Sequence, residues 1–297
     1  MNSSIPQNKL LGNQHPTQII EYLREIGDDE TADQFCGQGG TGQSMGPLWG
    51  NAVWGYTGVL IGYLAPDATG SEIEIQNATQ LVPEPSLKGK RVKITLDRFW
   101  VDNYPGKGEH TVLCEFTGKN QIQGEAEELR FALTVKARDG SGAATIGTPI
   151  FLGLSVGENG ISFEGSTVNV RSDLDDDLLK ALGTGPLRDG LSLLTTVQPA
   201  LKPFVGLAGS LVSAVASRSK NRPVYSFKLG LDFESGSTSA CLRYGSFIVI
   251  QGDNANWSWR NVVWNSEAQQ VLTRQDNKPI KFNYLVFRVS PYHDAVD

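Results

Sequence analysis

A chain of 297 residues with 39% hydrophobic and 20% charged side chains is too apolar and too weakly charged to remain disordered, and is long enough for one large domain or two modest ones. Its net charge of −6 excludes a chain-wide electrostatic footprint for nucleic acid, and the densest basic run, Arg218 to Arg222, is short enough to be a solvated helix end, so no nucleic-acid partner is expected. Cys36, Cys114 and Cys241 are widely spaced and form no CxxC, and His15, His110 and His293 are scattered, so neither a disulfide framework nor a metal or other cofactor is expected.

Residues 1–15 are polar and lack the apolar stretch of a secretory signal, which together with the cysteine usage predicts a cytoplasmic protein. Ile19, Ile20, Leu23 and Ile26 then recur at helical spacing between Pro16 and Gly27, and a second short helix is expected over 29–35. The Gly-rich stretch 37–46 reads as a loop.

From Ala52 the pattern turns to β. Residues 52–64 mix Val, Trp, Tyr, Leu and Ile with glycines and are expected to form a bent strand pair. Ile73 and Ile75 alternate with Glu72 and Glu74. Clearer period-two runs cover Val92, Ile94 and Leu96, and then Leu129, Phe131, Leu133 and Val135. Such alternation puts one face on a core and the other in water, as antiparallel sheets do. Pro105-Gly106, Asp139-Gly140 and Asn159-Gly160 supply turns, and the last is expected to close a hairpin between 151–156 and 161–170. At Ser172 the pattern changes to an N-cap and acidic first turn, followed by apolar residues at three-four spacing from Leu194 to Val215. Strands resume with Tyr225, Phe227, Leu229 and Leu231 on one face, continue over 240–251, and close with 284–289.

These elements predict a mainly β fold: an antiparallel β-sandwich with an inserted helical segment and a short helical N-terminal region. Residues 1–46 form a flexible tail, short helices and the Gly-rich loop, and residues 47–297 the sandwich, with the helical insertion at about 172–217.

Few motifs carry chemistry. Gly42-Gln43-Ser44-Met45-Gly46 matches the G-x-S-x-G nucleophile elbow, but no apolar strand precedes it and Pro47 replaces the following helix. The same loop lacks the lysine and spacing of a phosphate cradle. Asp173, Asp175, Asp176 and Asp177 fail the Ca²⁺-loop pattern, because Leu178 and Thr184 stand where Gly and Glu are required, and they suit a helix N-terminus instead. Residues 92–118, with Asp97 and Asp102 beside Pro105-Gly106, are faintly similar to the opening of a C2-type sandwich, whose loop aspartates bind Ca²⁺; no specific motif accompanies the likeness and it assigns no residue here.

Two features remain. Residues 190–217 carry Lys202 as their only charge and match the length of a bilayer span, yet Pro199, Pro203 and many hydroxyls point to a kinked helix packed on the sandwich. Trp257, Trp259 and Trp264, with Arg260 between them, form the densest aromatic group and suit an interface anchor or core packing at a sheet edge. The leading expectation is a non-catalytic binding or scaffold protein that presents an aromatic or helical surface, with Trp257, Trp259, Arg260 and Trp264 as binding residues and another protein as partner. The alternatives are a membrane-active effector or lipid-binding module using 190–217, and a serine hydrolase using Ser44.

Overall fold

The computed structural model describes residues 5–37, 52–122, 125–143, 145–171, 212–218, 220–234, 239–253 and 257–293, with the backbone alone at 37, 120–122 and 125–128. The chain enters through two short helices. Pro16 opens α1 (Pro16–Glu25), where its missing N–H leaves no bond unmade, and the His15 ring accepts the Thr17 N–H at 3.4 Å as the N-cap. Gly27, at φ +76°, ends it. α2 (Asp29–Gly37) follows, with the Asp28 carboxylate accepting the Thr31 N–H. The apolar stripe of Ile19, Tyr22 and Leu23, with Ala32, is buried in the main core, so both helices are packed on the sandwich.

The strands are β1 (Val59–Leu64), β2 (Glu72–Glu74), β3 (Gln76–Asn77), β4 (Arg91–Val101), β5 (Glu109–Ile122), β6 (Glu125–Arg138), β7 (Ser141–Ala143), β8 (Thr148–Ser155), β9 (Gly160–Val170), β10 (Arg222–Asp232), β11 (Ala240–Cys241), β12 (Gly245–Gln251), β13 (Val262–Asn265), β14 (Gln270–Thr273) and β15 (Tyr284–Pro291). The front sheet runs β3-β1-β12-β15-β4-β7, with β8 also on β4. The back sheet runs β11-β10-β9-β5-β6, and an outer layer runs β14-β13-β2. All pairings are antiparallel except β10 with β11. The protein is thus mainly β and sandwich-like, with small helical parts.

Alternation explains the layers. In β10, Tyr225, Phe227, Leu229 and Leu231 turn inward, and in β15 Leu285, Phe287 and Val289 do so from the opposite sheet. The Phe287 ring sits at the centre, 4.8 Å from Phe163, 5.4 Å from Phe116 and 5.7 Å from Phe227 between centroids. The alternate residues of the front sheet, among them Leu60, Ile248, Ile250 and Val286, form a second core beneath the outer layer. On the outer face of the back sheet, Leu113, Val168 and Val170 meet Val212 and Val215. That contact is all that is described of the expected helical insertion: 212–216 is helical, and 172–211 lie outside the described residues.

Two local expectations are corrected. Residues 52–64 form a 3-10 turn, Val53–Gly55, followed by the single strand β1, because the Gln251 amide takes the carbonyls of Trp54 and Tyr56 that a strand would need. The Asn159-Gly160 turn does not join a hairpin. It is closed by a Gly157–Gly160 bridge, after which β8 lies on β4 in the front sheet and β9 on β10 and β5 in the back sheet. Gly160 fits this corner because it holds φ +113° and a Cβ there would stand 2.0 Å from the Leu231 carbonyl oxygen. The connections β4 to β5 and β6 to β7 likewise pass between sheets.

At one end of the sandwich, buried side chains satisfy the loop backbone. Asn283 Oδ1 accepts the N–H groups of Asp102 and Asn103, and its amide donates to Gln251 Oε1 at 3.1 Å. The Gln251 amide donates to Trp54 O at 2.8 Å and Tyr56 O at 2.7 Å. Beside this chain the Asp102 carboxyl is 9% exposed and 3.5 Å from Lys281. Burial pushes its pKa up, and the Lys281 cation draws it only part of the way back. A carboxyl raised in the folded state favours folding below its unfolded pKa and loses that contribution as pH rises through the raised value. Asp102→Asn is therefore expected to raise the melting temperature at neutral pH and leave it unchanged in acid. A lower neutral-pH melting point would show that the Lys281 pair outweighs the burial.

Candidate functional site

The tryptophan group belongs to the outer layer. Ser258 between them is extended, so Trp257 and Trp259 share a face and meet edge to face at 5.1 Å, and the 3-10 turn Trp259–Asn261 follows. Trp257 also meets Phe282 at 5.6 Å. The Trp259 ring lies on Gly62, where a Cβ would approach it to 2.5 Å, so the absence of a side chain on β1 lets the ring dock. Trp257, Trp259 and Trp264 are all half-buried against the second core, and Arg260 is exposed. The structure thus groups Trp257 with Trp259 and sets Trp264 apart on β13, opposite Ile73 of β2 and Val271 of β14.

Trp264 lines a groove of about 300 Å³ shared by the outer layer and the front sheet. Ile73, Trp264 and Ile146, the last 68% exposed, supply its apolar lining. Ser246, Asp97 and Arg288 contribute the polar lining. A bulge positions the acid: Val286 pairs with Arg98 and Phe287 with Leu96, leaving Asp97 as the extra residue of β4. Its carboxylate accepts Arg288 Nε–H at 2.7 Å and the Thr95 hydroxyl at 2.8 Å. The Asp97 side chain is 16% exposed and that of Arg288 59%, so the guanidinium keeps donors open to a ligand. Asp97, Arg288 and Ile146 were not singled out from sequence: the first two look like ordinary solvent-face residues in alternating strands, and Ile146 sits in a turn with no pattern.

Asp97 and Asp102, the acids in the C2-like stretch, each face a cation, Arg288 and Lys281. Among the described residues no group of three or more His, Cys, Asp or Glu is arranged to hold a metal ion. His110 is fully buried. Arg171 donates to its Nδ1 at 2.6 Å, which fixes the proton on Nε2, and Nε2–H donates to Asp139 at 2.8 Å. Both ring nitrogens are occupied, so this histidine positions Arg171 and Asp139 rather than moving protons. Ser44, the Asp173–Asp177 acids and 190–211 lie outside the described residues. No described helix is long and apolar enough to cross a membrane.

Compared with protein-family models, curated proteins and solved structures, the chain matches none.

Proposed function

We propose that the protein is a non-catalytic binding protein, a scaffold that offers its aromatic outer layer and the adjoining groove to a partner protein in the cytoplasm. The observation that carries this reading is Trp264, a half-buried indole opening on a groove with a bulge-positioned Asp97–Arg288 pair in its lining. Tryptophan and arginine are the side chains most often found at binding hot spots, where a large apolar surface adjoins a few fixed polar groups. Trp257, Trp259 and Arg260 extend the same layer, and the unpaired cysteines suit a reducing compartment.

A photo-crosslinking amino acid at Ile146, in the groove wall, is expected to capture a discrete partner in the native host. The same probe at Lys228 on the back sheet serves as control. Trp264→Ala, with its circular-dichroism spectrum retained, is expected to abolish the Ile146 product. Equal capture at both positions, or capture indifferent to Trp264, would remove the groove from the function.

A further inference from the structure

The two edges of the back sheet differ in kind. At one, β11 is two residues long and blunts the sheet. At the other, β6 runs for 14 residues, pairs with β5 without a register shift, and has no strand on its outer side among the described residues. A long, flat edge of unpaired N–H and C=O groups is a template for another strand, and sheets commonly avoid this with bulges, prolines or very short edge strands. β6 has no proline and no bulge. Phe131 and Leu133, which turn toward the main core, are only half-buried at this edge.

We propose that β6 pairs with β6 of a second copy of this chain about a two-fold axis normal to the sheet, joining the two back sheets into one. Such an axis keeps both core faces on the same side, so residues of like parity must meet. The register centred on Ala132 sets Leu129 against Val135 and Phe131 against Leu133 on the core side. On the other side it sets Arg130 against Thr134 and residue 128, a glutamate, against Lys136, each pair occurring twice by symmetry. Neighbouring registers match worse. Centring on Phe131 sets the glutamate at 128 against Thr134 and loses its pairing with Lys136, and centring on Leu133 puts Arg130 against Lys136. The strand's charge is also ordered for antiparallel self-pairing, with acids at 125, 127 and 128 and bases at 136 and 138. Charges that would keep a foreign strand off this edge become complementary when the edge meets itself.

Sedimentation velocity of the full chain across a concentration series tests the pairing. The wild type is expected to be a dimer that dissociates on dilution. Lys136→Glu places glutamates at 128 and 136 face to face at two symmetric points and is expected to raise the dimer dissociation constant at least about tenfold. Among the described residues it removes one exposed pair, Lys136 with Glu109 at 3.4 Å, so the melting temperature at low concentration reports whether the fold is kept. The double variant Glu128→Lys/Lys136→Glu restores opposite charges and is expected to recover the dimer. A wild type that is monomeric throughout, a dimer indifferent to Lys136→Glu, or a double variant no better than the single one would each overturn the proposal.

Discussion

Phe287→Ala is expected to lower the unfolding free energy by about 3–5 kcal/mol, as large-to-small aromatic changes in packed cores do. The ring is 1% exposed and is the front sheet's contact with three back-sheet phenylalanines, Phe116, Phe163 and Phe227. Its removal takes away both the transfer of a large apolar surface from water and the edge-to-face contacts. The surrounding rings sit on strands hydrogen-bonded on both sides, so the cavity cannot readily collapse. Against a typical total of about 5–15 kcal/mol, the variant is expected to be largely unfolded at moderate denaturant. Urea denaturation followed by tryptophan fluorescence measures this directly, and a loss below about 1 kcal/mol, the size of an ordinary surface change, would show that the two sheets do not close on this ring.

Gln251→Leu is expected to cost about as much, although leucine is similar in size and more apolar. Gln251 is 1% exposed and its side chain makes three bonds, to the carbonyls of Trp54 and Tyr56 and to the Asn283 amide. Leucine leaves those three groups buried without their partner, at about 1–3 kcal/mol for each orphaned group, with less than full additivity. The expected loss is about 3–5 kcal/mol, together with faster amide exchange across 52–56, which Gln251 ties to the sheet. A leucine variant as stable as wild type would mean that water reaches these carbonyls.

The strands that alternate cleanly, β4, β6 and β10, were legible because each has one face on a core, so burial writes period two into the chain. The Asn159-Gly160 corner was not, because Asn-Gly supplies the same local geometry whether the strands beside it pair with each other or part to different sheets. That choice depends on β4 and β10, far away in sequence. β13 and β14 have four residues each, too few for a period to show. The tryptophans were visible as a group, but which indole stays open was not. Trp259 docks because Gly62 leaves room, and Trp264 opens on a groove that also holds Asp97, which a bulge in β4 sets beside Arg288.

The strand order of the front sheet has a consequence for how the molecule comes into being. β15, Tyr284–Pro291, lies between β12 and β4, and β1 pairs with β12 across most of the chain's length. During synthesis β4 gains β7 and β8, and β1 gains β3, soon after they emerge, but the other edge of β4 waits for β15, and that of β1 for β12, while the ribosome adds about 180 further residues. At about 5–20 residues per second that interval lasts roughly 10–40 s, with the unpaired edges of β4 and β1 open to other nascent chains throughout. Nonlocal pairing of this kind also slows refolding from denaturant into the range of milliseconds to seconds or longer. A host that makes this protein in quantity needs holding chaperones on the growing chain, and release before residues 284–291 have appeared yields a front sheet split at its middle.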